Sequence, residues 1–261
     1  MIRGEHLAVA YRGHTVMNDV SVEFEAGLVH SILGPNGCGK STLLKVLSRQ
    51  LPSSSGAVLV EGKDANSWGT KPFARHLAML SQAQERMTDI SVYDLVSYGR
   101  FPHKGWMQKL DDHDRAVVEQ ALQLTGTSAM SGRSVLELSG GERQRVRIAM
   151  AVAQQPKALL LDEPTTYLDI CHQLEIMELV RELNRDQRMT VIMVLHDLNH
   201  ASLYSDRVTV MKQGTVYGHG TPEEVISEQM LRDVFQVESS IERDRTTNRP
   251  LIRTMKLQSS G

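Results

Sequence analysis

Cysteine is scarce: Cys38 and Cys171 are the two in 261 residues. Two thiols so far apart build neither a disulfide framework nor a metal-ligand spacing, which points to a reducing compartment. An excess of one charge is also missing. Lys and Arg number 29 against 31 Asp and Glu, a net charge of −2, and this argues against a dedicated nucleic-acid binder. Long apolar runs are absent. The longest, Ile148 to Ala153, has six residues, far short of the ~20 that span a bilayer. The opening Met1-Ile2-Arg3-Gly4-Glu5-His6 is not followed by the apolar core of a signal peptide. The expectation is a soluble chain that meets a membrane only through a partner. There is no internal repeat and no low-complexity linker, and the length suits one large domain or two small ones.

One stretch carries the strongest chemical signal. Gly34-Pro35-Asn36-Gly37-Cys38-Gly39-Lys40-Ser41-Thr42 follows the G-x-x-x-x-G-K-S phosphate-binding pattern. The glycines let successive backbone N–H groups turn toward an anion. Lys40 is the flexible cation for the β- and γ-phosphates, and the Ser41 hydroxyl is a Mg²⁺ ligand. Val29 to Leu33 before the loop reads as a short buried strand. Leu43, Leu44, Val46, Leu47 and Leu51 after it repeat at helical spacing, so the loop feeds a helix N-terminus whose dipole favours phosphate. A nucleoside triphosphate is the expected ligand. Cys38 lies inside this loop at the helix start, where a lowered thiol pKa and alkylation-sensitive activity are expected.

The rest of the chain alternates strands with helices. Leu7–Tyr11 and Val20–Phe24 are strand-like, and the Tyr11 ring is a candidate to stack on a purine base. A strand over 76–81 ends at Gln82. From about 88 to 137 the character is helical: a helix from Asp94 stops near Gly99, broken by Phe101-Pro102-His103, and another starts at the N-cap Asp111 with Val117, Val118, Ala121 and Leu122 inward. Ser139 and Glu142 form a capping box opening a helix through Ala153. Gly140 and Gly141 at that start leave open backbone donors, a second anion site. Arg143, Arg145 and Arg147 spread around this helix and read as a solvated or interface surface.

Ala158-Leu159-Leu160-Leu161 runs straight into Asp162 and Glu163. Beside a P-loop, the first carboxylate supports Mg²⁺ and the second is placed to polarise water. His196 ends a further buried strand, 190–195. His196 and His200 have the spacing of a zinc-protease helix. Asp197 stands where a longer Glu is needed, however, and His196 sits on a strand end, so a zinc hydrolase is the weaker reading. Thr221 caps a helix with Pro222 at its first position. Residues 236–261 suggest a terminal hairpin around Thr246–Pro250.

The P-loop, Gln82, Leu138-Ser139-Gly140-Gly141-Glu142-Arg143-Gln144, Leu-Asp162-Glu163, Leu168-Asp169 and His196 occur in this order, and together resemble the ATP-binding-cassette ATPases. The resemblance implies an α/β P-loop core with an antiparallel β subdomain and a helical signature subdomain. It covers a single ATPase domain over 1–235, with the helical part at about 88–150. It implies that Tyr11 stacks on adenine, that Gly34 to Thr42 cradle the phosphates, and that Ser41, Gln82 and Asp162 serve the Mg²⁺. Glu163 is then the catalytic base and His196 the γ-phosphate sensor, with Lys40 and Gln82 assisting. Ser139, Gly140, Gly141 and Asp169 act on ATP held by a second subunit, so the cassettes pair head to tail.

A narrower resemblance rests on Tyr98-Gly99-Arg100-Phe101-Pro102-His103 and on Pro164 to Gln173. It is to the ATPases of importers for iron–siderophore, haem and vitamin B12 chelates, with Thr165-Thr166-Tyr167-Leu168-Asp169 favouring the siderophore branch. Ser81 before Gln82 departs mildly, since proline is common there. The implied setting is the cytoplasmic face of a bacterial membrane. The implied partners are a second ATPase subunit, permease subunits docked on the Tyr98–His103 segment, and indirectly an external substrate-binding protein, with no nucleic acid. The alternative is a soluble cassette acting on a ribosome or DNA.

Overall fold

The computed structural model describes residues 1–11, 14–82, 89–105 and 108–257. In chain order the strands are β1 (Ile2–Tyr11), β2 (His14–Phe24), β3 (Val29–Leu33), β4 (Ser55–Val60), β5 (Lys63–Asp64), β6 (Leu77–Leu80), β7 (Ala158–Asp162), β8 (Thr190–Val194), β9 (Arg207–Lys212), β10 (Thr215–Gly220), β11 (Val237–Arg243) and β12 (Pro250–Leu257). The main helices are α1 (Lys40–Leu47), α2 (Thr70–Ala74), α3 (Val92–Ser97), α4 (Asp112–Leu124), α5 (Gly140–Ala153), α6 (Ile170–Gln187) and α7 (Leu198–Tyr204). The chain divides into two compact units, one of residues 1–67 with 190–261, the other of 68–189.

The first unit holds an antiparallel sheet in the order β2-β1-β4-β5 and a second run of strands in the order β10-β9-β3-β8. Within that run β3 is parallel to both β8 and β9. All five residues of β3 and of β8 are buried, as a strand covered on both faces requires. β1 is longer than the expected Leu7–Tyr11 strand. Its inward set is Ile2 and Gly4, then Leu7 and Val9, so the alternation flips parity between them. His6, at φ 50°, lies where the register shifts, and a bulge of this kind hides a strand from a period-two pattern.

The second unit pairs β6 with β7 in parallel and adds the helices. α4 opens on Asp111 in a reciprocal capping box: Asp114 N donates to Asp111 Oδ1 at 2.9 Å, and Asp111 N to Asp114 Oδ2 at 3.1 Å. Val117, Val118, Ala121 and Leu122 are buried as the 3.6-residue period demands. After α3 the chain does not break at Phe101-Pro102-His103 but tightens into a 3₁₀ helix over Tyr98–His103. Gly99 sets this path, because a Cβ there would lie 2.2 Å from Met150 O of α5. Arg100 follows it inward. Its side chain is 2% exposed, and its Nε donates to Asp114 Oδ1 at 3.0 Å. Its Nη1 reaches Ala153 O at 2.7 Å and Gln155 Oε1 at 3.0 Å. Lys104 closes the cluster on Asp111 and Asp114.

Candidate functional site

In the first unit, β3 ends in Gly34 and the loop runs into α1. At Gly34 space as well as backbone angle requires a glycine, and at Gly39 the angle requires one and the space is tight. Gly34 (φ +146°) would place a Cβ 2.3 Å from Met211 O, and Gly39 (φ +104°) would place one 3.2 Å from Val16 O. Gly37 (φ +79°) has open space around it, so there the demand is conformational alone. Lys40 is 5% exposed, and its Nζ donates to Gly34 O at 2.8 Å and Pro35 O at 3.0 Å. The ammonium therefore spans its own loop, with two of its three donors on loop carbonyls. A cradle that a Cβ would fill, with a cation fixed in it, fits a triphosphate.

The parallel register brings His196 to the same place. Ile32 of β3 faces Val194 of β8, and Leu195 N donates to Ile32 O at 3.2 Å. Gly34 and His196 each lie two residues past that pair, at the carboxyl ends of adjacent parallel strands, where α/β sheets bind ligands. Asp197 caps α7 by accepting from His200 N at 2.8 Å. The side chain of Tyr11, on which adenine stacking falls, lies outside the described part of the structure.

In the second unit, register again joins residues far apart in sequence. Leu80 faces Leu161, so Gln82 and Glu163 leave their parallel strands at the same level. Gln82 Nε2 donates to Glu163 Oε2 at 2.6 Å, and Thr166 Oγ1 donates to the same oxygen at 3.0 Å. Glu163 itself takes φ 54°, a left-handed backbone seldom held without surrounding constraint. Asp162 beside it is buried, 5% exposed. A cavity of about 280 Å³ is lined by Gln82, Gly140, Arg147, Asp162, Glu163 and Thr166, among others.

Ser139 caps α5, its Oγ accepting from Glu142 N at 3.2 Å while Glu142 Oε2 accepts from Ser139 N at 2.8 Å. The backbone N–H of Ser139 holds the Glu142 carboxyl below its usual range. Asp169 is exposed and caps α6: its Oδ1 accepts from His172 N at 2.9 Å and from His172 Nδ1 at 2.8 Å. These bonds, the backbone one foremost, lower the Asp169 pKa. A Cβ on Gly141 would sit 2.0 Å from His172 Cδ2. The second glycine is thus needed where the α5 start packs on the residue holding Asp169.

Two expectations are corrected. Of the solvated or interface surface expected for Arg143, Arg145 and Arg147, the solvated alternative falls, since all three are half-buried. Arg147 Nη2 donates to Ser81 O at 2.7 Å, tying α5 to the peptide before Gln82. Arg143 reaches Leu138 O at 3.1 Å, and Arg145 lies 3.7 Å from Glu175. No local signal announced Arg147, because its partner is 66 residues away.

The second correction concerns Cys38, which is 3% exposed. Burial pushes its thiol up, outweighing the lowering by Lys40. A buried protonated thiol is a poor nucleophile. Maleimide should label exposed Cys171 at least ~10-fold faster than Cys38, read by mass spectrometry of digests. Equal rates would show that the loop opens far more readily than this packing implies.

The family profile described as ABC transporter matches residues 17–166, from within β2 to Thr166 just past Glu163. The chain belongs to the ABC transporter family. This ABC chain is 45% identical over 253 residues to "Iron(3+)-hydroxamate import ATP-binding protein FhuC" of Bacillus subtilis, covering 97% of this chain and 94% of that one. It is 39% identical to "Ferric enterobactin transport ATP-binding protein FepC" of Escherichia coli, covering 96% of this chain and 93% of that one. Among solved structures it is similar to the dimeric MJ0796, a bacterial ABC transporter cassette, with TM-score 0.73 and 26% identity over 85% of this chain and 98% of that one. The ABC chain is accordingly an ATP-binding, ATP-hydrolysing cassette with the mixed parallel and antiparallel sheets of its family.

Proposed function

We propose that this chain is the ATPase subunit of a membrane importer for iron chelates, working as two copies beneath a permease. The observation that carries it is the 45% identity, across 97% of the chain, with an iron(3+)-hydroxamate import ATP-binding protein. The Gly34–Thr42 loop, with Lys40, holds the β- and γ-phosphates. Ser41, Gln82 and Asp162 would hold Mg²⁺, which supplies charge neutralisation of the phosphates when bound. Glu163 takes the proton of the attacking water, and Gln82 fixes the angle of its carboxylate. His196 meets the γ-phosphate at the β3/β8 edge. Ser139, Gly140, Gly141 and Asp169 of one copy close over the nucleotide of the other, a pairing in keeping with the dimeric cassette above.

Among the described residues no helix is long and apolar enough to cross a membrane, so attachment to the cytoplasmic face runs through the permease. Tyr98 (44% exposed) and Phe101 (61% exposed) stack at 5.0 Å and 28° on the surface of the helical unit. An exposed aromatic pair of this kind suits an apolar partner helix. Phe101→Asp should preserve basal ATP hydrolysis within about twofold, as a surface substitution, while abolishing chelate uptake. Parallel loss of folding and hydrolysis would instead assign the ring to local packing.

The whole reading is tested in cells by fractionation and deletion. The chain should sediment with membranes only when its permease is present, and deletion should abolish uptake of a ferric hydroxamate supplied as the iron source. A chain that stays in the soluble fraction, with uptake intact after deletion, would favour a soluble cassette.

A further inference from the structure

The C-terminal hairpin takes no part in the chemistry above, yet it is fastened to one short helix. β11 and β12 are joined by a turn built on Asp244. Its Oδ1 accepts from Thr246 N at 3.0 Å, Thr247 N at 2.7 Å and Thr247 Oγ1 at 2.8 Å. Arg243 Nη1 donates across the turn to Asn248 O at 3.0 Å. The turn delivers Arg249 to the carboxyl end of α7, where its Nη1 donates to Ser202 O at 2.6 Å and also to Ser205 O. A guanidinium there satisfies terminal carbonyls that no helical N–H can reach.

Two further contacts fix the hairpin along α7. The buried Ser202 hydroxyl donates to Pro250 O at 2.6 Å. Asn199 pairs with the backbone of Ile252 in both directions: Nδ2 donates to Ile252 O at 3.2 Å, and Ile252 N donates to Asn199 Oδ1 at 2.8 Å. Ile252 is 7% exposed. Seven residues are too few for a helix to hold itself in water, so α7 depends on its packing against β3 and on the hairpin fastened to it.

His196 lies just ahead of α7, next to its N-cap Asp197. It hangs between β8, whose place is set by pairing with β3, and the Asp197 cap of α7. The direction in which the chain leaves the sheet at His196 follows the placing of α7. We propose that the C-terminal hairpin is the positioning element for His196, with Asn199 and Arg249 holding α7 so that His196 stays at the β3/β8 edge beside the P-loop. The inference rests on the reading of His196 as the residue that meets the γ-phosphate.

The test uses the purified full-length chain, with ATP turnover and binding of a non-hydrolysed ATP analogue measured separately. The Asn199→Ala/Arg249→Ala double variant should lower kcat about tenfold while analogue affinity stays within about twofold, the pattern of an interaction that matters in the transition state alone. Arg249→Lys, which keeps a donor for the α7 carbonyls, should retain most of the turnover. His196→Ala is run alongside. If His196→Ala turns over like wild type, the reading of His196 fails. If His196→Ala is impaired and the double variant is not, the hairpin proposal fails and the His196 reading stands. A double variant that loses analogue binding in step with kcat also overturns the proposal, because the defect then lies in the fold of the unit.

Discussion

Glu163→Gln is expected to lower kcat for ATP by about 10²–10⁴-fold, the usual contribution of a positioned general base, while leaving nucleotide affinity close to wild type. The reason is geometric. The carboxylate is held by Gln82 at 2.6 Å and Thr166 at 3.0 Å on one oxygen. A glutamine keeps the shape and can still accept the Thr166 hydrogen bond, but it cannot take a proton from water. The loop that grips the phosphates is untouched, because Lys40 is fixed by Gly34 and Pro35. Rapid-quench turnover beside equilibrium nucleotide binding measures the two separately. The variant should also accumulate as an ATP-bound dimer by light scattering. Wild-type turnover in this variant would remove Glu163 from the chemistry, and lost binding would show that the substitution disturbs more than the base.

Asp114→Ala should destabilise the helical unit by about 3–5 kcal/mol, the cost of leaving one member of a buried ion pair without its partner. Arg100 and Asp114 have side chains 2% and 3% exposed, so the stranded guanidinium has little access to water. Asp114→Asn separates charge from packing, and its cost should depend on pH. Burial alone would raise the Asp114 pKa, but hydrogen bonds from Lys104 and Arg100 outweigh it and hold the carboxyl well below the ordinary range. A carboxyl depressed in the folded state stabilises fully above its unfolded pKa of about 3.9 and loses that contribution as pH falls toward the folded value. Urea melts should therefore show a large gap between wild type and Asp114→Asn at pH 7 that narrows at pH 3. A gap of the same size at both values would mean that packing, not charge, is what Asp114 supplies.

The parts legible in the sequence are those whose cause is local. The P-loop announces itself through glycine spacing, the capping box at Ser139 through a Glu three residues on, and the N-caps Asp111 and Thr221 through residue type, although both of these prove to be capping boxes too. In the last of these Thr221 N donates to Glu224 Oε2 at 2.8 Å. What stayed hidden depends on partners far along the chain. Arg100 looks like any charged residue until Gly99 lets the backbone approach Met150 O and Asp114 arrives from the next helix. The meeting of Gln82 with Glu163 follows from a strand register that no sequence pattern states. Arg147 looked solvated because three alternating arginines spread around a helix, and its contact with Ser81 O becomes visible only when β6 is in place. Cys38 differs from its sequence expectation for the same reason. Its neighbours in sequence favour a thiolate, whereas burial, which is tertiary, pushes the thiol the other way.

The central claim, that ATP hydrolysis at this chain drives import of an iron chelate, is tested most directly in one sample. The chain and its permease are reconstituted in phospholipid vesicles, and uptake of a radioiron hydroxamate is counted beside phosphate release. Wild type should show ATP-dependent uptake together with hydrolysis, and Glu163→Gln should show neither while still binding ATP. Uptake that continues with Glu163→Gln, or hydrolysis by wild type with no chelate moved for any ferric siderophore tried, would contradict the account.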